Sequence, residues 1–193
     1  MEQFPKNIFE QRKDELRKLI ELRKEAAIYE DQYDDLFQEV EGYESLIKDS
    51  GTESLMNSEK QDYKNKKEKL ADISINVKTI PELRFILEEL GKTEEEINET
   101  LAHENAHANV SESLGANHET YIVYFLKEGN IYQTRITFPD YLSQEEVDYI
   151  SAKAIRAPED YGEAGGMSED DKKDLGRFSA EDSDLPKGWD TVH

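Results

Sequence analysis

The spacing of apolar residues divides the chain into successive stretches. Over 7–49 the apolar positions repeat every seven residues. Leu19, Ala26, Tyr33, Val40 and Ile47 form one series, and Leu22, Tyr29, Leu36 and Tyr43 form a second, three positions later. That repeat is the seam of a coiled coil, so one long helix is predicted, its first heptad weakened by Arg12 and Glu15. Ser50-Gly51-Thr52 breaks it. A second helix is predicted over 53–72, with Met56, Tyr63 and Leu70 at heptad spacing. Two such helices joined by a short break should fold back as an antiparallel hairpin.

The pattern then changes. Ile73, Ile75 and Val77 alternate, which suits an extended segment over 73–79. Pro81 suits the first turn of a helix that runs to Leu90 and stops at Gly91. Thr93 and Glu96 form a capping box for a helix over 94–114, ended by Gly115, with Ile97, Leu101, Ala108 and Leu114 as its apolar positions. Strands are predicted over 120–126 and 131–138, with the turn at Glu128-Gly129-Asn130. Ser143 and Glu146 open a helix to about Arg156, which Pro158 should end. An acidic loop through Gly162, Gly165 and Gly166 follows. Ser168 then caps a short helix to Phe178, with Asp171 at the capping-box position. The expected fold is α+β and mainly helical. It comprises a helical hairpin or coiled-coil arm over 1–78, a mixed domain with a β-hairpin over 79–178, and an acidic tail over 179–193.

Composition narrows the chemistry. The 193 residues carry a formal net charge of −21, with 36% charged and 36% hydrophobic residues. Such a charge repels nucleic-acid backbones and anionic membrane surfaces, so neither is an expected partner. There is no cysteine. Disulfides, thiolate metal sites and cysteine nucleophiles are therefore excluded, and a zinc site must use His, Asp or Glu. The first residues show no apolar core of a secretory signal, and no stretch has the run of about 18 apolar residues of a membrane helix. A soluble, cytoplasmic protein is expected.

The segment richest in chemistry is His103-Glu104-Asn105-Ala106-His107, set in the middle of the predicted 94–114 helix. Residues four apart lie on one helix face, so His103 and His107 can direct ring nitrogens at one Zn2+ ion. Glu104, beside the first ligand, is placed to act as general base on a water at the ion. Three of the four histidines fall between His103 and His118. A third protein ligand is still required. His118 lies just past Gly115, where a loop is expected, and Glu112 lies on a different helix face. Acids between Gly162 and Asp174 remain as candidates.

The order of elements resembles the peptidase domain of FtsH-like ATP-dependent zinc proteases. In that family a helix bearing His-Glu-x-x-His-Ala is followed by strands, a further helix and a Gly-containing loop, which leads to a helix whose Asp is the third zinc ligand. Here His103-Glu104-Asn105-Ala106-His107-Ala108 precedes the hairpin and the Ser143 helix. Gly162-Glu163-Ala164-Gly165-Gly166-Met167-Ser168-Glu169-Asp170-Asp171 follows. The resemblance spans about residues 93–178. It implies a zincin-like domain whose third ligand is Asp170 or Asp171. Family spacing favours Asp170, and helical phasing with Leu175 and Phe178 favours Asp171. Three features depart from the family. Ala106 stands where glycine is usual, the sequence has no Gly-x-x-x-x-Gly-Lys-Ser/Thr phosphate loop, and no membrane anchor is expected. ATP-driven unfolding and a hexameric ring are therefore not implied.

The expected activity is zinc-dependent hydrolysis of peptide bonds in flexible or unfolded protein segments, with substrate added along a strand of the hairpin. The coiled coil offers a surface for a protein partner or for self-association. The competing expectation is a non-catalytic coiled-coil adaptor whose zinc site is structural or vestigial. A structural site is closed by four protein ligands, which His118 would help to complete.

Overall fold

The structure, a computed structural model, describes residues 6–160 and 166–175. The side chains of residues 6–9, 49, 160, 169, 170 and 174 lie outside that description, as do the predicted tail over 179–193 and the end of the helix predicted to reach Phe178. The fold is α+β and mainly helical. In chain order its elements are α1 (Lys6–Ala26), α2 (Glu30–Ser50), α3 (Asn57–Asp72), β1 (Ser74–Val77), α4 (Ile80–Glu89), α5 (Glu94–Ser113), β2 (Asn117–Phe125), β3 (Asn130–Thr137), α6 (Gln144–Asp160) and α7 (Glu169–Leu175). The strands form one antiparallel sheet in the order β1-β2-β3. No described helix is long and apolar enough to cross a membrane.

The chain divides into two compact units. One is the chain up to Asn76 together with Ile122–Ile131, and the other is Val77–Tyr121 together with the chain from Tyr132. The tip of the β-hairpin thus groups with the N-terminal helices.

In the first unit, the single helix expected over 7–49 is two helices. The chain leaves the helix at Ile28, which makes a parallel bridge to Leu126, and its carbonyl accepts the Lys127 N–H at 3.0 Å. Tyr29 then starts α2 in an extended conformation, and its N–H donates to the Gln32 side chain at 3.2 Å. The acids Glu30 and Asp31 occupy the first turn, where they favour the positive end of the helix dipole. This break shifts the phase of the seam. Tyr33, Leu36 and Val40 are buried as the heptad pattern requires, but Leu22 and Tyr29 are about half exposed, and α1 buries Leu16 and Ile20 instead.

The hairpin is formed by α2 and α3. Its rungs are Glu39–Lys66 at 2.8 Å, Tyr43–Asp62 at 2.9 Å and Glu44–Tyr63 at 3.0 Å. From Glu39 to Tyr43 the partner number falls from 66 to 62, the signature of antiparallel packing. A short 3₁₀ turn at Thr52–Ser54 precedes α3, so this helix begins at Asn57 rather than at 53. Met56, expected in the seam, is exposed, whereas Leu70 is buried. The core here joins Tyr33, Leu36, Val40, Leu70, Ile73, Ile122 and Tyr124.

In the second unit, α4 and α6 both pack on α5. Helix α4 buries Leu83, Phe85, Ile86 and Leu87. Helices α4 and α5 both end in Schellman motifs, in which Gly91 and Gly115 take the positive φ that other residues resist. The Gly115 N–H donates to Glu112 O and the Ala116 N–H to Ser111 O. The packed surfaces of α5 and α6 are rich in small buried residues, Ala106 and Ala108 on one and Ala152, Ala154 and Ala157 on the other. Small side chains let helix backbones approach closely. Helix α6 does not stop before Pro158, as the sequence led us to expect. It continues to Asp160 with the proline ring fully buried.

Candidate metal centre

Helix α5 supplies two residues of the centre. The Thr93–Glu96 capping box starts it: the Thr93 hydroxyl accepts the Glu96 N–H at 3.3 Å, and the Glu96 carboxylate accepts the Thr93 N–H at 2.8 Å. Ten residues further on, His103 and His107 face the same side, their Nε2 atoms 3.1 Å apart. Helix α7 supplies the third residue. The Asp171 Oδ2 lies 3.1 Å from His103 Nε2, and its Oδ1 lies 3.4 Å from His107 Nε2. The ligand atoms of these three residues all lie within 4.8 Å of one another, so the group can hold a metal ion.

Two of the three residues are visibly oriented by a further contact. His107 Nδ1 lies 2.7 Å from the Ala154 carbonyl of α6. A carbonyl only accepts, so Nδ1 carries the proton and Nε2 is left with the lone pair a metal needs. Asp171 is fixed by the start of its own helix. Its Oδ2 accepts the Ser168 N–H and the Ser168 hydroxyl, each at 2.8 Å, while the Asp171 N–H donates to Ser168 Oγ at 3.0 Å. Asp171 thus makes the capping contacts expected from its position and also lies within reach of both histidines. The Asp170 side chain lies outside the described residues.

Glu104 is almost wholly buried, at 3% exposure. Thr134 Oγ1 lies 2.7 Å from its Oε2 and 3.0 Å from its backbone oxygen, and shares one proton between them. Burial raises the Glu104 pKa, against the opposing pull of His107, the Thr134 hydroxyl and His103. Asp171 goes the other way. Burial would raise it, but the bonds to His103 and His107 prevail and hold it well below the usual carboxylate range. Burial also works against a charged His107, yet the bond to Asp171 and the Glu104 charge outweigh it and raise the pKa.

His118, weighed as a further ligand, is not part of this group. It lies on β2 rather than in a loop, with its ring 4.3 Å from that of Tyr121. Its buried Nε2 has no hydrogen-bond partner among the described residues. Sequence reasoning missed Thr134 and Ala154. Thr134 is a polar residue within a strand, a weak signal. Ala154 acts through its backbone oxygen, so its side chain gives no sign of the role.

Comparisons with protein-family models, with curated proteins and with solved structures give no match for this chain.

Proposed function

We propose that this protein is a zinc metallopeptidase that hydrolyses peptide bonds in flexible or unfolded protein segments. The observation that carries the reading is the convergence of His103, His107 and Asp171. Zinc bonds of about 2.0–2.1 Å in a tetrahedron put ligand atoms about 3.3 Å apart. The closest approaches here are 3.1, 3.1 and 3.4 Å. Two imidazoles and one carboxylate suit zinc. A bound zinc ion would supply Lewis acidity, polarising a carbonyl and making water acidic.

The chain's own residues supply the rest. Glu104 is the general base. It takes a proton from the attacking water and passes it to the leaving amine, and Thr134 holds its carboxyl group in place. A carboxyl whose pKa is raised towards the working pH accepts and returns a proton more readily. The resemblance in motif and element order to the FtsH-like peptidase domain supports the same roles. So does β3, which carries Thr134 and is an outer strand of the sheet, where substrate can add as a further strand. An adaptor with a structural zinc site would need that site closed by four protein ligands. The metal-binding group has three members among the described residues, and His118 is not one of them.

The test measures metal content and hydrolysis of a denatured, unstructured protein substrate. The full chain should bind close to one zinc ion, and His103→Ala and Asp171→Ala should lose it. Glu104→Gln should keep zinc but hydrolyse about 10²–10⁴-fold more slowly. A wild-type chain that takes up no zinc, or a Glu104→Gln chain that cleaves at the wild-type rate, would end this reading.

A further inference from the structure

His107 is aimed by an interruption in a neighbouring helix. In an uninterrupted α-helix the carbonyl of residue 154 receives the N–H of residue 158. Here residue 158 is a proline, inside α6, with no N–H to donate. A proline ring also crowds the carbonyl four residues back. That carbonyl is the one that accepts His107 Nδ1–H at 2.7 Å. The usual role for such a proline is to terminate a helix, but α6 runs on to Asp160 and buries the ring. A proline inside a helix is strongly disfavoured relative to alanine, so its place here calls for a compensating role.

We infer that Pro158 is a positioning residue of the metal centre. By withholding an N–H from Ala154 O, it reserves that carbonyl for His107 Nδ1–H and so makes Nε2 the nitrogen that faces His103 and Asp171. The role rests on the metal-binding reading of the site. It names a residue that neither ligates nor reacts, on a helix that contributes no ligand. A hydrogen bond to the far nitrogen of a ligating histidine sets its tautomer and orientation, and the loss of such a bond typically costs about 10–100-fold in metal affinity.

The experiment compares three full-length chains: wild type, Pro158→Ala, and an ester-backbone variant with lactate at 158. Alanine restores the N–H, whereas lactate lacks both the ring and the N–H. Long-range ¹H–¹⁵N spectra of histidine-labelled protein, recorded with chelator, report the His107 tautomer. Competition with a chromophoric chelator reports zinc affinity. Pro158→Ala should lose the fixed Nδ1–H tautomer and bind zinc about 10–100-fold more weakly. The lactate chain should keep both wild-type properties. If Pro158→Ala keeps the wild-type tautomer, neither the ring nor the missing N–H sets it; if lactate behaves like alanine, ring packing rather than the missing N–H is responsible; either result overturns the inference. Should Pro158→Ala fail to fold, the lactate chain carries the test alone: the wild-type tautomer supports the inference and a mixture of tautomers overturns it. A wild-type chain without zinc would remove the proposed function, and the metal-free spectra would still decide the role of Pro158.

Discussion

At the scale of single residues, the second unit keeps several polar groups in apolar surroundings, and they are not equivalent. Glu104 has Thr134, and His107 has Ala154 and Asp171. The Tyr132 hydroxyl is buried with no hydrogen-bond partner among the described residues. Burial first, and then the charges of Glu96 and Glu104, push its pKa up to about 12 from 10.0. The folded state therefore prefers the neutral phenol. Below about pH 10 the group is neutral whether the chain is folded or not, and stability does not depend on its titration. Between about pH 10 and 12 the unfolded chain ionises first, so stability falls as pH rises. Tyr132→Phe should remove that alkaline loss. At pH 7 it should leave the protein about 1 kcal/mol more stable, because an unpartnered buried hydroxyl is costly. Urea unfolding at pH 7 and pH 11 measures both. A loss of stability at pH 7 would mean that the hydroxyl has a partner after all.

At the scale of elements, the helix that carries the two histidines depends on its start. Thr93→Ala removes the acceptor for the Glu96 N–H and should cost about 1 kcal/mol in urea unfolding, with zinc affinity close to wild type because His103 lies almost three turns away. A tenfold fall in affinity would instead tie the first turn to the site. This start was legible in the sequence, as were Gly91, Gly115, the β-hairpin and the paired histidines, because each rests on a local rule. The break at Ile28 was not legible. It is set by a bridge to Leu126, almost a hundred residues away, and Ala26-Ala27-Ile28 alone continues a helical pattern. The start of α2 did leave a trace, in Glu30 and Asp31 followed by Gln32, but the continuing heptad masked it. Asp171 was legible only in part. Its capping-box position and its helical phase were visible, but its approach to α5 is a tertiary fact.

At the scale of the whole molecule, the excess of acidic residues sets the response to salt. A formal net charge of −21 on 193 residues makes the folded state repel itself. The visible ion pairs, such as Lys66 with Glu39 and Asp62, relieve this locally on the α2–α3 hairpin. Raising sodium chloride from low concentration to about 0.5 M should screen the remainder and raise the melting temperature by about 2–4 °C, equivalent to about 1 kcal/mol for a chain of this length. A melting temperature that falls with added chloride would mean that attractive pairs outweigh the repulsion.

The short contacts between the start of α7 and the histidines of α5 also bear on topology. The chain has no cysteine and hence no disulfide. An ion shared by His107 and Asp171 would join positions 107 and 171 in the folded chain only. The centre would then serve as a reversible clasp whose hold on the fold grows with the supply of free ion, tenfold more ion adding about 1.4 kcal/mol once the site is nearly full.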